Sequence, residues 1–451
     1  MFKVVKAQAK QRNVLILLPN GRVHKLVLPF VNMSFREAPL TATMLAALTP
    51  QDLPFNITIC DASVSRVPSD KHFDLVAISV ITGTATEGYK WAEHFKKSGA
   101  TVVIGGVHAT LLPDEAARHA DTIVTGYAER SWKQLCRDFI NGALKPRYHD
   151  DTPELNHLPL PRRDLQKRFG YMIPNTVYAT RGCRNTCDFC AVVGAKQGWH
   201  TRPVGEVIDE IRALRGSRFA FNDVSLCEDR DYALELCKAL EPLRKKWGGL
   251  MTTRATDDDE LMDALADAGC CYMLLGFESV NADALGGICK RFNAPEHYRA
   301  VCDALHGRGI SIQGCFIFGL DHDTPSVFSD TVEIVNELRI DIPRYALYTP
   351  FPGTEAYRRL SGEGRLLDVN WSWYDTQHVV FRPQNMTTEE LDSGFIRAWH
   401  ETFSLSSIRH RLSPRRRQPY VPLAGNLAYR LYARKLKRDT HRFALSQEDT
   451  L

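Results

Sequence analysis

Over the first third of the chain, hydrophobic residues fall in short unbroken runs separated by amphipathic stretches. Val14–Leu18, Asn56–Cys60, Asp74–Val80, Thr101–Ile104 and Asp121–Val124 read as strands, while Ala38–Leu48, Glu87–Lys97, Pro113–His119 and Arg130–Asn141 carry apolar residues at helical spacing. A strand that is apolar on both faces needs cover on both, which helices on either side of a parallel sheet supply. The pattern predicts a doubly wound, Rossmann-like α/β domain over residues 1–150. Ligands of such sheets sit beyond the carboxyl ends of the strands, where the sequence places Ser79, Thr82, Gly105, Gly106 and Gly126.

Residues 151–174 hold four prolines and no periodicity, and read as a linker. A second alternation follows. Strands at Thr176–Thr180, Phe219–Asn222, Leu250–Arg254, Tyr272–Gly276, Ser311–Phe318 and Tyr345–Tyr348 are separated by helices at Gly205–Leu214, Tyr232–Leu243, Glu260–Asp267, Pro295–Leu305 and Ser326–Leu338. Six βα units predict a partial (β/α)6 TIM-like barrel over residues 175–360, with its chemistry at the carboxyl ends of the strands. Residues 361–451 read as a mainly helical segment, with helices at Thr388–Phe403 and Asn426–Arg438. Its aromatics, among them Trp371, Trp373, Tyr374, Phe381, Phe395 and Trp399, either line an apolar substrate site or form a small core of their own.

Composition narrows the class. With 44% hydrophobic and 24% charged residues the chain is an ordinary globular one, neither disordered nor fibrous. No apolar run approaches the roughly 20 residues of a membrane span, and the first ten residues lack the apolar stretch of a secretory leader, so a cytoplasmic protein is expected. Twelve cysteines in that setting are expected to be reduced thiols. The net charge is only +4, yet between Arg409 and Arg442 stand eleven Lys or Arg against the single acid Asp439. This basic tail suggests peripheral contact with a membrane surface or an acidic partner, against the plainer reading of a solvated helical appendage; no nucleic acid is expected.

The chemistry gathers in Arg181-Gly-Cys-Arg-Asn-Thr-Cys-Asp-Phe-Cys190, at the end of the first barrel strand. Thiolates suit iron–sulfur clusters and zinc. A structural zinc site wants four ligands, and the nearest further candidate, His200, has no partner at ligand spacing. Three thiols, Cys183, Cys187 and Cys190, fit a cubane cluster that keeps one iron open.

With Phe189 before the third cysteine and Arg202-Pro-Val204 beyond it, this loop resembles the signature of the radical S-adenosylmethionine (SAM) superfamily. Gly276-Phe-Glu-Ser279, Gly314–Asp321 and Thr349–Thr354 resemble its cobalamin-associated branch. The resemblance implies a 4Fe–4S cluster on the three cysteines and SAM on the open iron, with Phe189, Asn222, Arg254, Glu278, Gly314 and Gly319 around it. It also implies a reductant such as flavodoxin or ferredoxin. Gly105–Thr110, Pro113–Glu115 and Asp121–Gly126 resemble the cobalamin-binding domain of that branch, which implies a corrin near Ser79, Thr82, Gly105, Gly106, His108 and Gly126. The D-x-H-x-x-G motif that would supply a histidine to cobalt is missing, as it commonly is in this branch.

The implied function is radical functionalisation of an unactivated C–H bond, foremost cobalamin-dependent C-methylation of a small, apolar molecule: lipid-like, tetrapyrrole or natural product. One rival is a radical SAM cyclase or rearrangement enzyme whose N-terminal domain binds no cobalamin. A rival of another class is a non-catalytic iron–sulfur redox-sensing or binding module.

Overall fold

The computed structural model describes residues 10–21, 25–27, 32–412 and 420–444. It contains two compact units, Met1–Gly21 with Pro39–Gly170, and Arg22–Ala38 with Tyr171–Leu451.

The first unit is built on a six-stranded parallel sheet. Its strands are β1 (Arg12–Leu18), β4 (Phe55–Asp61), β5 (Leu75–Ser79), β6 (Thr101–Gly105), β7 (Thr122–Gly126) and β8 (Arg147–Asp150), in the order β4-β1-β5-β6-β7-β8. Val14 to Leu17 of β1 are fully buried, as a central strand covered on both faces requires. The order reverses at β1, which opens a crevice between the carboxyl ends of β1 and β5. Strand β8 escapes the hydrophobic pattern because it is an edge strand with one buried residue, Tyr148.

The second unit holds a six-stranded parallel sheet of β10 (Thr176–Val177), β13 (Arg218–Phe221), β14 (Lys246–Met251), β15 (Cys270–Glu278), β16 (Ser311–Phe318) and β17 (Ile342–Leu347), in that order. Each strand lies beside the next in sequence, as six βα units of a partial barrel demand. A short ladder pairs β11 (Thr180–Arg181) with β12 (His200–Thr201), and a small sheet joins β2 (Lys25–Val27), β3 (Asn32–Glu37) and β9 (Tyr171–Ile173). Thus residues 22–38 group with the second unit, and residues 151–170 of the expected linker group with the first.

Two local expectations change. The strand expected at Leu250–Arg254 begins at Lys246 and ends at Met251, and Thr253–Asp257 form a 3-10 turn. A Cβ on Gly248 would stand 2.7 Å from the Tyr272 ring of β15, so glycine there serves close strand packing. The C-terminal aromatics divide as a core would. Trp399, Phe395 and Phe381 are buried in the second unit, and the Trp399 ring lies 5.5 Å from Tyr345 and 5.3 Å from Tyr432.

Candidate active site

The expected strand Thr176–Thr180 breaks at Tyr178-Ala179, and the break is what aims the chain into the cysteine loop. Asp223, at the end of β13, takes hydrogen bonds from the Ala179 amide (3.0 Å), the Thr180 amide and the Thr180 hydroxyl (2.7 Å). Burial pushes the Asp223 carboxyl up to about 6 despite those donors. Arg202 is fully buried, paired with Glu210 at 2.7 Å, and donates to the Tyr178 carbonyl at 2.8 Å. At Gly182, φ is +78° and a Cβ would stand 2.0 Å from the Gly198 carbonyl oxygen, so only glycine closes this turn.

The three thiols occupy one loop, with Cys187 buried and Cys183 and Cys190 partly exposed. Among the described residues, no three His, Cys, Asp or Glu side chains are gathered so as to hold a metal ion. The Cys183 sulfur accepts from the Asn185 amide (3.4 Å) and side chain (3.2 Å), and the backbone N–H groups of Val193 and Val192 oppose the raised pKa of Cys190. Burial raises Cys187 to about 12 and also raises Cys190. Such thiols lose their protons to a bound cationic metal centre, not to water. Soft sulfurs supplied with N–H donors fit an iron–sulfur cluster.

Asn185 is itself fixed, giving its amide to Glu228 (3.0 Å) and accepting from Arg254 (2.7 Å). On the other side of the loop, Asp188 accepts from Tyr348 (3.2 Å), with Arg359 at 3.8 Å, and the Phe189 ring meets Tyr348 edge-on at 6.4 Å. Burial raises the Asp188 pKa, and Arg359 opposes that shift.

Glu278 ends β15 with φ at +66°, where the pairing with β16 slips by a residue. Its carboxylate folds back onto Lys290, which also donates to the Gly276 carbonyl at 3.0 Å. A Cβ on Gly276 would lie 2.2 Å from the Glu278 carboxylate, so the glycine makes room for this ion pair. Burial alone would lower Lys290, but Glu278 and then Cys187 hold it raised. Asn222 is exposed at the end of β13, and the half-exposed Arg254 stacks 4.5 Å over Phe292.

Two glycines expected beside SAM have other work. A Cβ on Gly314 would meet Ile340 at 2.8 Å, inside the core. Gly319 has φ at +93°, its amide donates to Asp323 at 3.0 Å, and its vacant side is filled by Leu391 at 2.9 Å. Sequence reasoning missed Asp223, Lys290, Glu228 and Asn185. The signal for Asp223 was its neighbour Asn222: side chains alternate along a strand, and of the two it is Asp223 that turns inward.

In the first unit, Gly106 (φ +98°) and Gly126 (φ +71°) are required by their own backbones, since a Cβ would stand 2.5 Å from the Val80 carbonyl oxygen and 2.0 Å from that of Asp150. His108 is fully buried, with Nδ1 3.2 Å from the Thr82 hydroxyl and Nε2 3.1 Å from Tyr89 and 3.4 Å from Glu115. Burial lowers its pKa, against the pull of Glu115. It therefore braces the loop from within and is not presented as a ligand. Half-buried Ser79 and Gly105 border exposed Ile81 at the carboxyl edge, which fits a broad, partly apolar group without a protein ligand below it.

Residues 177–335 match the radical SAM superfamily. The chain is 30% identical to bacteriochlorophyllide d C-12(1)-methyltransferase of Chlorobaculum tepidum over 91% of both proteins. To the C-8(2)-methyltransferase of that organism it is 27% identical, over 86% of this chain and 90% of the other. Among solved structures it is similar to TsrM, a radical SAM methyltransferase from Kitasatospora setae described with tryptophan and a SAM analogue bound. The TM-score is 0.69 at 15% identity, over 97% of this chain and all of the other. TsrM is also described with cobalamin and a 4Fe–4S cluster bound.

Proposed function

The chain belongs to the radical SAM superfamily, and we propose that within it the protein is a cobalamin-dependent methyltransferase acting on a carbon atom of a tetrapyrrole. The observation that carries this reading is the 30% identity to a bacteriochlorophyllide methyltransferase, which runs over 91% of the chain and so includes the first unit as well as the barrel.

Cys183, Cys187 and Cys190 would hold the cluster, Glu278 and Arg254 would contact SAM, and Ser79 and Gly105 would border the corrin. When bound, the cluster delivers one electron that cleaves SAM reductively, and the corrin carries the methyl group. The protein's own part is positioning and exclusion of water. N–H donors from Asn185 stabilise negative charge on the Cys183 sulfur, and the Val193 and Val192 backbone N–H groups favour the same at Cys190. Lys290 holds the Glu278 carboxylate in a buried ion pair, and that carboxylate would be the group offered to SAM. Asp188 and Tyr348 tie the loop to the end of β17, and burial of Tyr348 and Cys187 keeps water from a reactive radical.

The test is anaerobic reconstitution with iron, sulfide and hydroxocobalamin, then incubation with SAM, reductant and a bacteriochlorophyllide. The expected products are a chlorin heavier by one methylene, S-adenosylhomocysteine and 5′-deoxyadenosine. If 5′-deoxyadenosine forms while the chlorin is only cyclised, the cyclase reading replaces this one. If an intact cluster gives no 5′-deoxyadenosine at all, the protein is not acting as a radical enzyme.

A further inference from the structure

The C-terminal helix, Tyr420–Ala444, has two faces of opposite use. Toward the second unit it buries Asn426, Tyr429, Tyr432 and Ala433; Tyr429 and Tyr432 pack on Trp399, and Asn426 donates to the Asp341 carbonyl at 2.7 Å. Tyr429, two residues from both Leu427 and Leu431, falls on the opposite side of the helix from them. Leu423, Leu427 and Leu431, one turn apart, remain 43%, 46% and 48% exposed. Three such leucines in line on an anchored helix form an apolar ridge with no cover among the described residues.

The charge beside the ridge says what covers it. Arg434 and Lys435 follow Leu431 at three and four residues, on the same face, and both are exposed. From Tyr420 to Arg438 the sequence carries Arg430, Arg434, Lys435, Lys437 and Arg438 and no acid. Leucines set beside cations, without an acid between, match the boundary of an anionic bilayer: acyl chains for the ridge, phosphates for the cations. A protein partner of ordinary composition would call for mixed charge around the ridge.

We propose that the outer face of helix Tyr420–Ala444 docks the enzyme on an anionic lipid surface, with Leu423, Leu427 and Leu431 in the headgroup boundary and Arg434 and Lys435 on lipid phosphates. No helix of the described residues is long and apolar enough to cross a membrane, so the contact is peripheral. It gives the enzyme access to an apolar substrate dissolved in the bilayer, but does not depend on which substrate that is.

The experiment is flotation of the full-length, cluster-loaded protein with vesicles of phosphatidylcholine alone or with equimolar phosphatidylglycerol, across a salt series. Binding is expected on the anionic vesicles only, weakening as salt rises. The pair Leu427→Ser and Leu431→Ser should lower partitioning on the order of tenfold or more, since each removes apolar area from the contact. Arg434→Ala with Lys435→Ala should abolish the preference for anionic lipid. Both variants should keep the cluster absorbance and melting temperature of the parent, because the altered side chains are exposed. Equal flotation on neutral vesicles, or flotation of the leucine variant like the parent, would overturn the proposal. So would sedimentation showing a dimer that Leu427→Ser dissociates in a protein that does not float, which would assign the ridge to a second copy.

Discussion

Replacing Asp223 separates what its carboxylate does as an acceptor from what it does as a charge. Asp223→Ala removes the side-chain acceptor of the buried Ala179 and Thr180 amides and the shorter of the two hydrogen bonds of the Thr180 hydroxyl, which also reaches the Ser225 carbonyl at 3.4 Å. A buried donor left unsatisfied costs about 1–3 kcal/mol, so orphaning the two amides is worth about 2–6 kcal/mol, concentrated where the chain enters the cysteine loop. Asp223→Asn can keep its Oδ1 on the same donors. The sign of its pH dependence follows from the raised pKa: the carboxyl moves from 3.8 to about 6 on folding. Its contribution to stability is therefore fully present below about pH 4 and lost as pH rises through about 6. At pH 8 the ionised aspartate costs about 3 kcal/mol that the neutral amide avoids. Thermal melts at pH 5 and pH 8, with iron and sulfide content after anaerobic reconstitution, measure both effects. The alanine variant should melt lower at either pH and take up less cluster. The asparagine variant should load normally and gain on the parent as pH rises. Equal cluster uptake by the alanine variant would refute the positioning role; failure of the asparagine variant at pH 8 would show that the loop needs the charge itself.

Three further outcomes are expected. Cys187→Ala should abolish 5′-deoxyadenosine formation, read by chromatography, while far-ultraviolet circular dichroism and any corrin binding stay as in the parent. Lys290→Met leaves the buried Glu278 without its cation and should cost about 3–5 kcal/mol in a chemical melt; adding Glu278→Gln should recover a large part of that loss. Gly126→Ala forces a Cβ onto the Asp150 carbonyl at a left-handed residue and should destabilise the first unit by at least about 1–2 kcal/mol, seen as an earlier melt with unchanged cluster content.

What the sequence determined by itself were features set by local periodicity and by ligand chemistry. Apolar runs such as Val14–Leu17 have one use, a strand covered on both faces, and their alternation with amphipathic helices admits few topologies. Three closely spaced thiols at a strand end likewise narrow the candidate metal chemistry to an iron–sulfur cluster or zinc before any coordinates are seen. What only the tertiary structure decided were pairings across long separations and the direction of side chains. Arg147–Asp150 becomes a strand because β7 is there to pair with it, and Lys290 matters because the bulge at Gly276 turns Glu278 back toward it. Gly314 and Gly319 carried a ligand's signature in sequence, yet Ile340 and Leu391 fill the space beside them. The C-terminal helix follows the same division: its amphipathic character is written in the residue order, but which leucines face outward was settled by the fit of Tyr429 and Tyr432 against Trp399. Periodicity fixes a residue's place along an element, whereas burial depends on what the rest of the chain brings to that place.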